Sequence, residues 1–189
     1  MKLLFSIFLL TVSHLALATT VVLHDFPQLT QRADAVVRAS IQNIQIKTST
    51  GKIKVPITEV KATVLQIYKP GENLALQDII TLRKLGGKVG NRSVIVPGTE
   101  EFQVGQECVL FLEKTPQDYF VILGMAQGKF DITSDPTTLE KFVVRNTHQL
   151  HLIPNNIKSV DNLYTQPILS ANDSKMPLSL LEKMINNNL

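Results

Sequence analysis

A chain of 189 residues with a formal net charge of +3 is long enough to bury one core and too weakly basic for a dedicated nucleic-acid binder. Trp is absent and no segment interleaves aromatics with cations, so the stacking platforms that hold single-stranded nucleic acid are missing. The one cysteine, Cys108, excludes an intramolecular disulfide.

Residues 1–18 read as a cleavable export signal. Lys2 gives the positive start, Leu3 to Val12 an apolar run, and Ala16-Leu17-Ala18 the small residues that signal peptidase requires. Cleavage is expected between Ala18 and Thr19, and losing Lys2 takes the net charge from +3 to +2. Ser13 and His14 end the apolar run well short of the ~20 residues that span a bilayer. The protein is therefore expected in the periplasm or secreted.

The mature chain is expected to open on a short β-branched strand, Thr19 to Leu23. Pro27 suits the first turn of a short helix that ends near Asp34. A long strand from Ala35 to Ile46 is expected to bend where its alternation slips. The turn Thr48-Ser49-Thr50-Gly51 leads into a second long strand, Ile53 to Tyr68. After the turn at Lys69-Pro70-Gly71-Glu72 a third strand covers Asp78 to Leu85. Gly86 to Asn91 reads as a flexible loop, followed by a short strand at Val94-Ile95-Val96. Cys108 to Leu112 is apolar on both faces, so Cys108 reads as a buried thiol acting as a small hydrophobe. Further strands are expected at Tyr119–Leu123, Lys129–Ile132 and Lys141–Arg145.

Many short strands with close turns, and no βαβ alternation, argue for a barrel or sandwich over a nucleotide-binding parallel sheet. Residues 19–145 are expected to form that β domain. Residues 146–189 read as a polar, Asn-rich arm and a short terminal helix. Ser179 and Glu182 are spaced as a capping box for that helix, and Leu180, Leu181, Met184 and Ile185 give it an apolar stripe.

No catalytic constellation is evident. The Gly86–Gly90 segment lacks the order of a phosphate-binding loop. His148 and His151 are three apart without a nearby third ligand, and His24-Asp25 are adjacent and so poorly placed to face each other. A hydrolase built on these histidines is the weakest reading; the chain is read as a non-enzyme with no metal and no cofactor. Cations gather at two turns instead. Lys47, Lys52 and Lys54 flank one, and Arg83, Lys84, Lys88 and Arg92 surround the glycine segment. If adjacent, they form a basic rim for an acidic protein or an anionic lipid or glycan surface.

Several ordered motifs carry a resemblance. They are Arg32-Ala33-Asp34-Ala35-Val36-Val37-Arg38-Ala39, the strand Val60 to Lys69, Leu85-Gly86-Gly87, Val96-Pro97-Gly98, and Phe102-x-x-Gly105-x-Glu107-x-Val109-Leu110-Phe111-Leu112. Over residues 25–145 the chain resembles a family of exported bacterial proteins, some encoded near matrixin-like metalloproteases. It is also similar to the OB barrel of netrin-like modules, including tissue inhibitors of metalloproteinases. The resemblance implies a five-stranded Greek-key barrel with added edge strands and suggests protease inhibition; the chain itself is read as a mainly β, monomeric, non-catalytic module engaging a protein, with a co-exported metalloprotease as candidate. Those inhibitors chelate zinc through an N-terminal cysteine; here Thr19 stands at the expected terminus, so that mechanism does not carry over.

Overall fold

In the computed structural model, residues 19–147, 150–154 and 175–189 are described. The export signal expected over residues 1–18 lies outside them. The fold is mainly β. In chain order come β1 (Thr19–Leu23), helix α1 (Phe26–Arg32), β2 (Ala35–Thr48), β3 (Pro56–Lys69) and β4 (Ile79–Leu85). Then follow β5 (Gly87–Val89), β6 (Arg92–Val94), β7 (Glu107–Lys114), β8 (Phe120–Ile122) and a 3-10 turn (Met125–Gly128). The rest are β9 (Lys129–Ser134), β10 (Lys141–Val144), β11 (Leu150–Pro154), β12 (Met176–Pro177) and helix α2 (Leu178–Asn186).

Five strands close a barrel. β2 pairs antiparallel with β3 and β7, β3 with β4, and β7 with β8, while a parallel bridge from Leu82 to Phe120 joins β4 to β8. The first barrel strand thus meets the second and fourth, and the third meets the fifth: the Greek-key closure of an OB-like barrel. β7 divides its outer edge, with Leu112–Lys114 on β8 and Cys108–Leu110 on β9, so β9, β10 and β12 extend the sheet.

The slipped alternation in β2 has the expected consequence. Register shifts against β3 at Val36/Val37, Arg38/Ala39 and Ile41/Asn43 bend the strand around the barrel. Ala35, Val37, Ala39 and Ile41 then face the interior with Val60, Ala62, Val64, Leu82, Leu110 and Leu112. Alternate residues of the same strands (Val36, Val109 and Phe111) face outward into a second core under both helices. That double burial is why β7 is apolar throughout Cys108–Leu112.

Each helix is positioned by side chains the barrel supplies or receives. Asp25 caps α1: its carboxylate accepts from the Gln28 amide at 2.8 Å, while the Gln28 side chain accepts from the Asp25 amide at 3.3 Å. Leu29 and Ala33 go into the second core. For α2 the expected capping box at Ser179 does not form. The helix starts at Leu178 behind Pro177, with no side-chain cap. Its start is set by β12 pairing with β10 and by burial of Leu178, and Glu182 instead accepts from the Tyr68 hydroxyl at 2.7 Å. Leu181 and Ile185 are fully buried, whereas Leu180 is exposed, so the stripe is one position narrower than expected.

The expected flexible loop at Gly86–Asn91 is also corrected. β5 and β6 form a small hairpin, anchored where the Gly86 amide donates to the Pro56 carbonyl (3.0 Å) and the Thr58 hydroxyl donates to the Gly86 carbonyl (2.8 Å). Gly87 has φ +127°, and a Cβ there would meet Ile46 Cγ2 at 2.6 Å, so the glycine serves close packing. The polar arm contains β11, which pairs in parallel with β1, and residues 155–174 lie outside the described residues.

Candidate functional site

The β2–β3 ribbon outruns its barrel. Ile41 is the last fully buried residue of β2, yet the ladder continues to the Thr48–Pro56 pair, roughly 20 Å further at a strand's rise per residue. The turn beyond is internally braced. The Ser49 amide donates to the Val55 carbonyl (2.8 Å), the Val55 amide to Ser49 Oγ (3.0 Å), and the Ser49 hydroxyl to the Ile53 carbonyl (3.0 Å). The β5–β6 hairpin continues β4 along the same ribbon, and the Arg92 guanidinium reaches the Lys54 carbonyl at 3.5 Å. The two cationic segments noted in the sequence therefore share one end of the molecule.

The seven basic residues do not share one role. Lys47 and Arg83 converge on Glu59, with Lys47 Nζ 2.6 Å from one carboxylate oxygen and the Arg83 guanidinium 2.9 Å from the other. The hydrogen bond from Lys47 comes first in holding the Glu59 carboxyl below its ordinary range. These three groups clamp β2, β3 and β4 and leave a net charge of +1. Lys84 is half-buried and donates to the Glu100 carbonyl; burial lowers its pKa. Lys52, Lys54, Lys88 and Arg92 remain exposed, and among the described residues no carboxylate lies within ion-pair range of them.

The apolar part of this end was missed in reading the sequence. Ile53 is 79% exposed between Lys52 and Lys54, and Ile95 is 84% exposed just after β6. A signal for it existed. Residues 41–58 and 79–99 hold seven Lys and Arg but none of the sixteen Asp and Glu and none of the aromatics. The remainder of the chain then carries a net charge of −4, so the protein is electrically polarised along its sequence.

The chain matches no protein-family model and no curated protein.

Other groups weighed as chemistry have structural duties. Cys108 is fully buried beside the Ala39 carbonyl (3.9 Å), and desolvation pushes its thiol up to about 12. Asp25 caps α1, whereas the His24 ring lies 3.4 Å from the Arg32 guanidinium, so the pair does not act as base and orienter. Burial is the main cause lowering the His24 pKa. His148 lies outside the described residues, and His151 is placed only by its backbone in β11. Among the described residues no group of three metal-ligating side chains occurs, and no helix is long and apolar enough to cross a membrane.

A cavity of about 260 Å³ lies elsewhere, lined by Glu100, Glu101, Lys129, Asp131 and Asn146 among others. Within it Lys129 pairs with Asp131, and its ammonium stands 5.2 Å from the Phe102 ring centroid. Burial of Glu100 raises its carboxyl above the ordinary value of 4.5. The folded state therefore holds a proton that the unfolded chain has released, and stability falls as pH rises from 4.5 through the folded pKa. Glu100→Gln is expected to flatten that fall, read as urea unfolding free energy against pH; an unchanged slope would assign it to another group.

Proposed function

We propose that this protein is a non-catalytic binding module that engages a polyanionic partner through the β2–β3 turn and the β5–β6 hairpin. The observation that carries this reading is the meeting of Lys52, Lys54, Lys88 and Arg92, all exposed, in two segments devoid of acids. OB barrels bind through the face of their second and third strands and the loop joining the first two, and the β2–β3 turn is that loop here. The fold by itself carries no function; the charge at this end is what supports the assignment. The export signal expected over residues 1–18 supports an encounter outside the cytoplasm. The inhibitor-like mode of the resembling family has no counterpart in Cys108, which is buried in the barrel.

The test is affinity for a soluble polyanion, polyglutamate, over a salt series. Neutralising the four cations (Lys52→Gln, Lys54→Gln, Lys88→Gln and Arg92→Gln together) is expected to weaken binding by about 10³-fold, at about 1 kcal/mol per cation near an anionic surface. The salt dependence should flatten in parallel. Lys175→Gln with Lys183→Gln, two exposed cations near α2, should leave affinity within about twofold if location rather than net charge matters. Equal losses from both sets would reduce the effect to non-specific attraction.

A further inference from the structure

We propose that the polyanionic partner is the surface of an anionic lipid bilayer, and that Ile53 is the side chain that enters it; this rests on the electrostatic reading above. Three observations distinguish a bilayer from an acidic protein. Ile53 is 79% exposed at the apex of a braced turn, flanked on both sides by lysine. An isolated apolar apex between cations suits an interface where the side chain reaches acyl chains while lysine stems lie along it and their ammonium groups stay among phosphates.

The composition of this end points the same way. Protein interfaces concentrate Tyr, Trp, Phe, Met and Arg at their centres and are depleted in Lys. Residues 41–58 and 79–99 contain no aromatic residue and no Met, and four of their five exposed cations are lysines. The third observation is orientation. The rest of the chain, at −4, is repelled by an anionic membrane, so the field presents the ribbon end first. The ribbon's reach of roughly 20 Å past the last buried residue of β2 lets its apex penetrate the 5–10 Å of an interfacial layer without burying the barrel.

Flotation of the full protein with two kinds of vesicle tests this: phosphatidylcholine alone, and phosphatidylcholine with phosphatidylglycerol. Binding is expected only to the anionic vesicles. Ile53→Ser should weaken it about tenfold while leaving polyglutamate affinity unchanged, and Leu139→Ser, at another exposed aliphatic residue, should change neither. Because the chain has no Trp, Ile53→Trp supplies a sole indole whose emission should shift to the blue with anionic vesicles and not with polyglutamate. Binding to polyglutamate without binding to anionic vesicles overturns the bilayer assignment, makes an acidic protein the partner, and leaves the electrostatic reading standing. Binding to neither overturns both. Vesicle binding with unshifted I53W emission, or with undiminished affinity in I53S, overturns insertion at Ile53.

Discussion

Replacing Phe111 with alanine is expected to lower the unfolding free energy by about 3–5 kcal/mol, the range for emptying an aromatic site in a close-packed core. Phe111 is fully buried on the outer face of β7. Its ring meets Phe26 of α1 edge-on at 5.6 Å and Phe130 of β9 at 5.7 Å, so it couples the N-terminal helix to the sheet extension. It shares that core with Leu181 and Ile185 of α2. A cavity at this point opens into a core shared by both helices and by β2, β3, β7, β9, β10 and β12, and cannot collapse without moving several of them. Phe111→Leu, which keeps most of the volume, should cost much less, about 1–2 kcal/mol. Urea unfolding of both variants reads the difference, and similar midpoints for alanine and leucine would show that the site relaxes freely.

The second large effect is expected at Gln127, a fully buried polar side chain in the 3-10 turn. Its carbonyl oxygen accepts from the His24 amide at 2.9 Å, and its amide nitrogen donates to the Val22 carbonyl at 3.0 Å and the Gly124 carbonyl at 3.2 Å. One side chain thus joins the end of β1 and the start of α1 to the turn after β8. Gln127→Leu fills the same space but removes the partner of the buried His24 amide and of the part-buried Val22 carbonyl. Each such loss costs about 1–3 kcal/mol, so a total of about 2–4 kcal/mol is expected. Hydrogen exchange at the His24 amide is the specific readout, because a general loss of stability would not single it out. Gln127→Glu keeps the acceptor and loses the donor, so the His24 amide should stay protected in that variant.

Neither residue announced its role in the sequence, for different reasons. Phe111 was legible as buried, since Cys108 to Leu112 is apolar on both faces, but its neighbours in α1 and α2 are distant in the chain. Gln127 was not legible at all. A lone Gln between small residues has no periodicity, and two of its three hydrogen bonds go to backbone groups about a hundred positions away. The same limit explains the terminal helix. Ser179 and Glu182 satisfy the local spacing of a capping box, yet burial of Leu178 and the Tyr68 hydroxyl offered to Glu182 outweigh a cap of modest worth. At Gly86–Asn91, glycine content suggested mobility, whereas close approach to Ile46 and Thr58 turns the same glycines into a hairpin's anchor.

The basic turns divide in the same way. The sequence by itself determined that the chain is mainly β, a barrel or sandwich, because strand periodicity, bulge positions and turn residues are local properties, whereas closure needed the Leu82–Phe120 bridge between β4 and β8. It also determined that its cations cluster in two acid-free stretches. Only the tertiary structure decided which of those cations find a partner. Glu59 draws in Lys47 and Arg83, and Lys84 turns to the Glu100 carbonyl, leaving Lys52, Lys54, Lys88 and Arg92 exposed around Ile53. The physical reason is that pairing and exposure depend on which strands lie side by side. Register across β2, β3 and β4 brings together residues that sequence distance keeps apart.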